Sequence, residues 1–298
     1  MRSSLAIIKA TALEILSEPL TLLVQLAALA LTVLAPAFHY HQFGDPTRMA
    51  RDAGFSALFT CGSVIAVFGT IRAVRREVET GTMEMALAHS VSRTSFFLAK
   101  TLGSILAYLV FAVTVLGATL AIFQGAAVGG EIARQTGDIA RIFGPYLAAG
   151  VAIAILPLVL AAGANRFGGC RFVLTSQLLA FVLSVAAVGT VLFLSGFATF
   201  RLVPVAVLIA QMAIPLLVAS AALAIRLKAN VAASAVGLVF ALMLPAVGNY
   251  YLVDCLADGG LLDWGYVGLA AVVMFPATLA FLMLGIHFIN GRDIQWTT

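Results

Sequence analysis

Residues 101 to 130, TLGSILAYLVFAVTVLGATLAIFQGAAVGG, hold no Asp, Glu, Lys or Arg at all. Crossing the hydrocarbon core of a bilayer takes roughly 20 apolar residues as α-helix. Lipid offers backbone groups no hydrogen-bond partner, so such a segment must satisfy them within its own helix. Seven further charge-free stretches accompany it: 19–44, 53–71, 142–165, 172–200, 202–225, 229–253 and 264–291. The 17 basic and 13 acidic residues are clumped between them. Composition agrees, with 62% hydrophobic and only 10% charged residues and a mean hydropathy of +1.08, where soluble domains carry about 25% charge. The ~10-residue alternating segments of a membrane β-barrel are absent. These observations predict an all-α, polytopic membrane protein in which residues 1–298 form a single transmembrane domain of about eight helices.

The first charge-free run has no A-x-A-like site in a suitable flank, so a cleavable signal peptide is not expected. Residues 1–18 read instead as an amphipathic helix on the membrane surface. Leu5, Ile8, Ala12, Ile15 and Leu16 fall on one face, and Lys9 and Glu14 lie elsewhere. Orientation follows from the basic residues, which favour cytoplasmic loops. With the N-terminus inside and eight spans, Arg2, Lys9, Arg72, Arg75, Arg76, Arg93, Lys100, Arg166, Arg171, Arg226, Lys228 and Arg292 face the cytoplasm, leaving five arginines outside. Both termini are therefore expected on the cytoplasmic side of the plasma (inner) membrane. Pro204 and Pro215 interrupt the sixth run and Pro245 the seventh, and proline kinks or breaks helices. Six spans plus a re-entrant hairpin, with unchanged termini, remains the alternative.

Several function classes leave no trace. The three cysteines, Cys61, Cys170 and Cys255, are spread along the chain and form no secreted-type framework. His39 and His41 make an H-x-H with no further ligand nearby, and no metal site is expected. There is no H-E-x-x-H, no nucleophile beside an evident base, and no G-x-x-x-x-G-K-[ST] phosphate loop. No nucleic-acid contact is expected either. Ion-driven carriers commonly place charged side chains inside their spans. Here the runs hold only neutral groups such as Gln25, Gln177, Gln211 and Asn249. Energy for any uphill movement must come from elsewhere.

The exception to this apolar monotony is RREVETGTMEMALAHSVSRTSFFLAK, residues 75–100, between the second and third runs. Glu77, Glu79 and Glu84 precede or open a short amphipathic helix in which Met83, Leu87 and Val91 recur at helical spacing. Gly81 suits a turn and Thr82 an N-cap, with carboxylates near the positive end of the dipole. Arg72, Arg75 and Arg76 on one flank, and Arg93 and Lys100 on the other, are expected to anchor the segment at the lipid phosphate layer.

These residues resemble the permease subunits of ATP-binding-cassette transporters of the type-2 exporter class. That family carries E-x-E-x-G-T-hydrophobic-E, then P-V-S-R, then G-K or A-K opening the third span. Here the order reads Glu77, Glu79, Gly81, Thr82, Met83, Glu84, then Ser90, Val91, Ser92, Arg93, then Ala99, Lys100. Ser90 stands where proline is usual, and the family commonly has six spans. The resemblance implies that residues 75–95 are a cytoplasmic coupling segment docking on a separate ATPase, through Glu77, Glu79, Gly81, Thr82, Met83, Glu84, Leu87, Val91, Ser92 and Arg93. It implies that ATP and Mg are held by that partner, with no cofactor on this chain. It also implies a second permease copy or homologue, and a hydrophobic or amphipathic cargo. A membrane scaffold that binds a cytoplasmic partner without transport is the alternative. Residues 131–145 read as a short outer-surface helix or connector.

Overall fold

A computed structural model describes residues 2–35, 46–83, 91–136, 143–195, 202–247 and 263–291. About 94% helical and without strands among those residues, it comprises α1 (Arg2–Leu16), α2 (Pro19–Leu34), α3 (Pro46–Val64), α4 (Thr70–Glu79), α5 (Arg93–Thr136), α6 (Phe143–Ala154), α7 (Leu156–Gly168), α8 (Phe172–Ser195), α9 (Val203–Arg226), α10 (Ala229–Val247) and α11 (Trp264–Asn290). Among the described residues six helices are long and apolar enough to cross a membrane, or seven if α1 and α2, bent by 62° at Ser17 and Glu18, make one. The chain is thus an all-α protein with the helices of a membrane-embedded one. His39, His41, Asn249 and Cys255 lie outside the described residues.

Each charge-free run contains a helix, but several helices outgrow their runs. A five-residue π turn, Ile65–Gly69, joins α3 to α4, and the continuous segment Thr47–Glu79 is 33 residues long. At 1.5 Å per residue that is about 50 Å, well beyond a hydrocarbon core of about 30 Å. The 44-residue α5 is longer still, about 66 Å. Charges carried into these ends are paired on the helix itself: Arg48 and Arg51 both meet Asp52 near the start of α3. Residues 131–136 likewise continue α5 rather than opening a separate surface helix, and 137–142 lie outside the described residues.

The prolines act differently from expectation. Pro204 occupies the first turn of α9, where a missing N–H costs nothing, and α9 runs unbroken through Pro215. The break falls elsewhere, between α6 and α7, at Ile155 just before Pro157. Among the described residues α9 is the most enclosed of the long helices. Leu208, Ile209 and Leu217 are fully buried there, against Phe55 and Leu58 of α3 and Phe111 of α5.

Small residues let α5 approach its neighbours closely, as in helix packing within lipid. Gly103 faces Thr11 and the Ile8 carbonyl of α1, and Gly117 faces Ser184 of α8. Ser184 Oγ donates to the Thr114 carbonyl at 3.1 Å, bonding the two helices where both are buried. Phe97 of α5 fits against Gly285 of α11. The amphipathic α1 therefore packs on protein: Ala12, Ile15 and Leu16 are buried with Ala73 and Ala107, while Leu5 is exposed.

Candidate functional site

Residues 75–100 lie where α4 ends and α5 begins, and there the helix ends converge. Arg72 Nη1 is 3.3 Å from Glu18 between α1 and α2. Arg76 Nη1 is 3.6 Å from Glu14 of α1. Arg75 pairs with Glu79 one turn along α4 at 2.8 Å and donates to the Leu227 carbonyl after α9. Glu77 turns the opposite way, towards α5, and accepts from Lys100, 2.5 Å away. Lys100 also lies 3.7 Å from Glu14, so one ammonium bridges α1 and α4.

The Lys100 side chain is 3% exposed. Its four-carbon stem and charged head are enclosed by protein, which is tolerable only because two carboxylates face it. The expected role at the lipid phosphate layer is therefore corrected for Lys100. Only Arg72 and Arg76 keep side chains more than half exposed. Glu77 is likewise turned into the bundle, where its Oε2 is buried with no hydrogen-bond partner among the described residues. Burial raises the Glu18 carboxyl above the ordinary carboxylate range, while Arg72 pulls the other way.

A second arginine set ties the last helix to this end. Arg93 Nη1 donates to the Asn290 carbonyl at 2.8 Å and to that of Ile289 at 3.4 Å. Arg226 donates to the Gly291 carbonyl at 2.9 Å and stacks over Phe288. The final carbonyls of a helix have no intrahelical donor and carry the negative end of its dipole, so both cations suit the place. Arg93 thus staples α5 to α11.

Directly after α4, residues 80–82 are tied by their own hydroxyls. Thr80 Oγ1 donates to the Arg76 carbonyl at 2.8 Å and lies 2.9 Å from Thr82 Oγ1. Gly81 takes φ +71°, which a side chain would strain. Thr82 lies beside the Glu77 carbonyl, and the helix it was expected to cap falls largely on residues outside those described. Met83 is 3% exposed and packs with Ile71, Phe96 and Ile225, joined by Val91. Ser92 Oγ accepts from the Ser95 N–H and so caps α5. Glu84, Leu87 and Ser90 lie outside the described residues.

Of the ten residues assigned to coupling, Glu77, Met83, Val91, Ser92 and Arg93 face or brace the bundle, and Glu79 and Thr82 remain exposed. Glu14, Glu18 and Arg226 complete the lattice and were not singled out by motif. Glu14, the one acid of the N-terminal helix, reads from sequence as lying off its apolar face, with no partner indicated. Among the described residues no group of three His, Cys, Asp or Glu could hold a metal ion. His287 sits beside Phe288. Comparison with protein-family models, with curated proteins and with solved structures found no match.

Proposed function

We propose that this chain is the membrane-spanning permease subunit of an ATP-driven exporter, powered by a separate ATPase that holds ATP and Mg. The observation that carries the reading is the mounting of residues 84–90. On one side Met83 is buried in a core shared by α4, α5 and α9. On the other, Ser92 caps α5 and Arg93 is bonded to α11. In this reading load applied to residues 84–90 reaches α4, α5, α9 and α11 through Met83, Ser92 and Arg93. A ligand shifts a conformational equilibrium only by binding its states unequally. An ATPase whose nucleotide cycle changes its grip on that segment supplies such a difference.

Eight spans follow in this reading from which helix ends meet. Glu18, Glu79, Arg93, Leu227 and Gly291 share one end of the bundle through Arg72, Arg75 and Arg226 and the α11 carbonyls. The 27-residue α11 ends there, so the chain leaving Leu227 must first cross to the far end, and α10 is the described helix available to carry it. The same reasoning makes α2 a crossing between Glu18 and the start of α3. The shared end is the cytoplasmic one by its basic residues, with α1 at the inner-membrane surface and both termini inside. A second permease copy or homologue completes the pathway, and its apolar lining suits a hydrophobic or amphipathic cargo.

The test is to co-purify the chain with an ATP-binding-cassette subunit and measure ATP-dependent transport in proteoliposomes, with Glu84→Ala and Leu87→Ala as variants. Loss of the complex and of transport supports the proposal. A stable complex in which no substrate ever stimulates ATP hydrolysis would favour the scaffold reading.

A further inference from the structure

Beside the lattice, a cavity of about 590 Å³ opens between the start of α2, the end of α4 and the turn from α9 into α10. Its walls are of two kinds. Leu20, Phe68 and Ile71 line one part; Arg72, Arg75 and Arg76 line the other. That division coincides with two boundaries in the sequence. The charge-free run 19–44 opens directly after Glu18, and the run 53–71 closes directly before Arg72. The cavity therefore straddles the level at which two adjacent spans pass from charged to apolar, which is the level of lipid phosphates.

Its surfaces are available to a ligand. Phe68 is 49% exposed, and the Arg72 and Arg76 side chains are 61% and 65% exposed. Glu18 and Glu79 also line it, so three guanidinium groups face two carboxylates and an excess positive charge remains. Such exposed ion pairs contribute little, and a phosphate offers a guanidinium a bidentate, charge-assisted alternative. Asn230 and Thr80 add neutral polar groups to the wall.

We propose that this cavity binds the headgroup of an anionic phospholipid of the cytoplasmic leaflet. The phosphate lies against Arg72 and Arg76, and the first acyl segments against Leu20 and Phe68. Basic pockets between spans on the cytoplasmic side recognise anionic headgroups in this way. A zwitterionic lipid would bring its ammonium against the arginines and bind less well. The bound lipid fastens the α1–α2 junction to α4 and α10, independently of any ATPase.

The experiment uses the full chain purified in dodecyl maltoside. Thermal stability and lipid retention in native mass spectra are followed during titration with phosphatidylglycerol, phosphatidylcholine or glycerol 3-phosphate. Phosphatidylglycerol should raise the midpoint and be retained, and the other two should do neither at equal concentration. The R72Q/R76Q variant should bind phosphatidylglycerol on the order of tenfold more weakly, R166Q should bind as the unmodified chain does, and E79Q, which frees Arg75, should bind more tightly. Equal responses to the two lipids, or wild-type binding by R72Q/R76Q, would overturn the proposal. So would glycerol 3-phosphate matching the lipid, since that marks a free-anion site. If R72Q/R76Q fails to fold, E79Q decides: unchanged or weaker binding overturns it.

Discussion

Lys100 and Glu77, on different helices, form an ion pair in which the lysine is 3% exposed and the glutamate 25%. Removing the lysine would leave Glu77 turned into the bundle without its cation, while Glu14 would keep Arg76. Breaking a buried pair from one side costs about 3–5 kcal/mol, and the partial exposure of Glu77 lowers the expectation for Lys100→Met to roughly 2–3 kcal/mol. Pairing it with Glu77→Gln should recover part of the loss. A double-mutant cycle by thermal unfolding in detergent checks this, and zero coupling energy would refute the pair.

Gly285→Ala would place a methyl group 2.1 Å from Phe97 Cζ, with ring atoms on both sides at 2.6 and 2.8 Å. Overpacking of this kind costs about 1–3 kcal/mol, and α11 should loosen from α5. The comparison is Gly163→Ala on α7, which meets nothing within 4 Å and should gain roughly 0.5–1 kcal/mol by helix propensity alone. Opposite signs in the two unfolding midpoints are expected.

The α11 terminus offers a local readout. Arg93→Ala removes donors from two carbonyls of its last turn. A cation at a helix C-terminus is worth about 0.3–1 kcal/mol when exposed, so global stability should fall only slightly. Amide exchange over residues 285–291 should nevertheless rise, and rise again in a double variant with Arg226→Ala. Unchanged exchange in both would mean that the arginines do not hold this end.

How far the sequence revealed this arrangement depends on the range of each interaction. Helix positions were legible because charge avoidance and hydrophobic length act along the chain, and every charge-free run holds a helix. Their ends were less so: α3 begins at Pro46 and α5 extends to Thr136, because pairs such as Arg51 with Asp52 let charge remain on a helix. Pro215 misled for a related reason. Burial of α9 on every side holds the helix together where composition alone suggests a break. The contacts of Lys100 and Arg93 were not legible because their partners, Glu14 and Asn290, are distant in sequence. Only the topology brings them together, and no periodicity encodes it.

The two halves of the proposed coupling element should fail differently. If residues 84–90 dock on the ATPase as proposed, Leu87→Ala should weaken assembly and lower transport in proportion. Glu14 is enclosed between Arg76 and Lys100 and holds α1 to α4 and α5. Glu14→Gln should therefore leave the complex intact and ATP hydrolysis running, yet reduce transport per ATP, because movement at α4 would no longer be shared with α1. The change removes the pair with exposed Arg76 and the longer contact with buried Lys100, which keeps Glu77; a loss of about 1–3 kcal/mol is expected, and the variant should still fold. Parallel measurement of co-purification, ATPase rate and cargo flux separates the two. If Glu14→Gln loses the complex as Leu87→Ala does, the lattice is part of the docking surface rather than the linkage behind it, and the division of roles drawn from Lys100 and Glu77 is wrong.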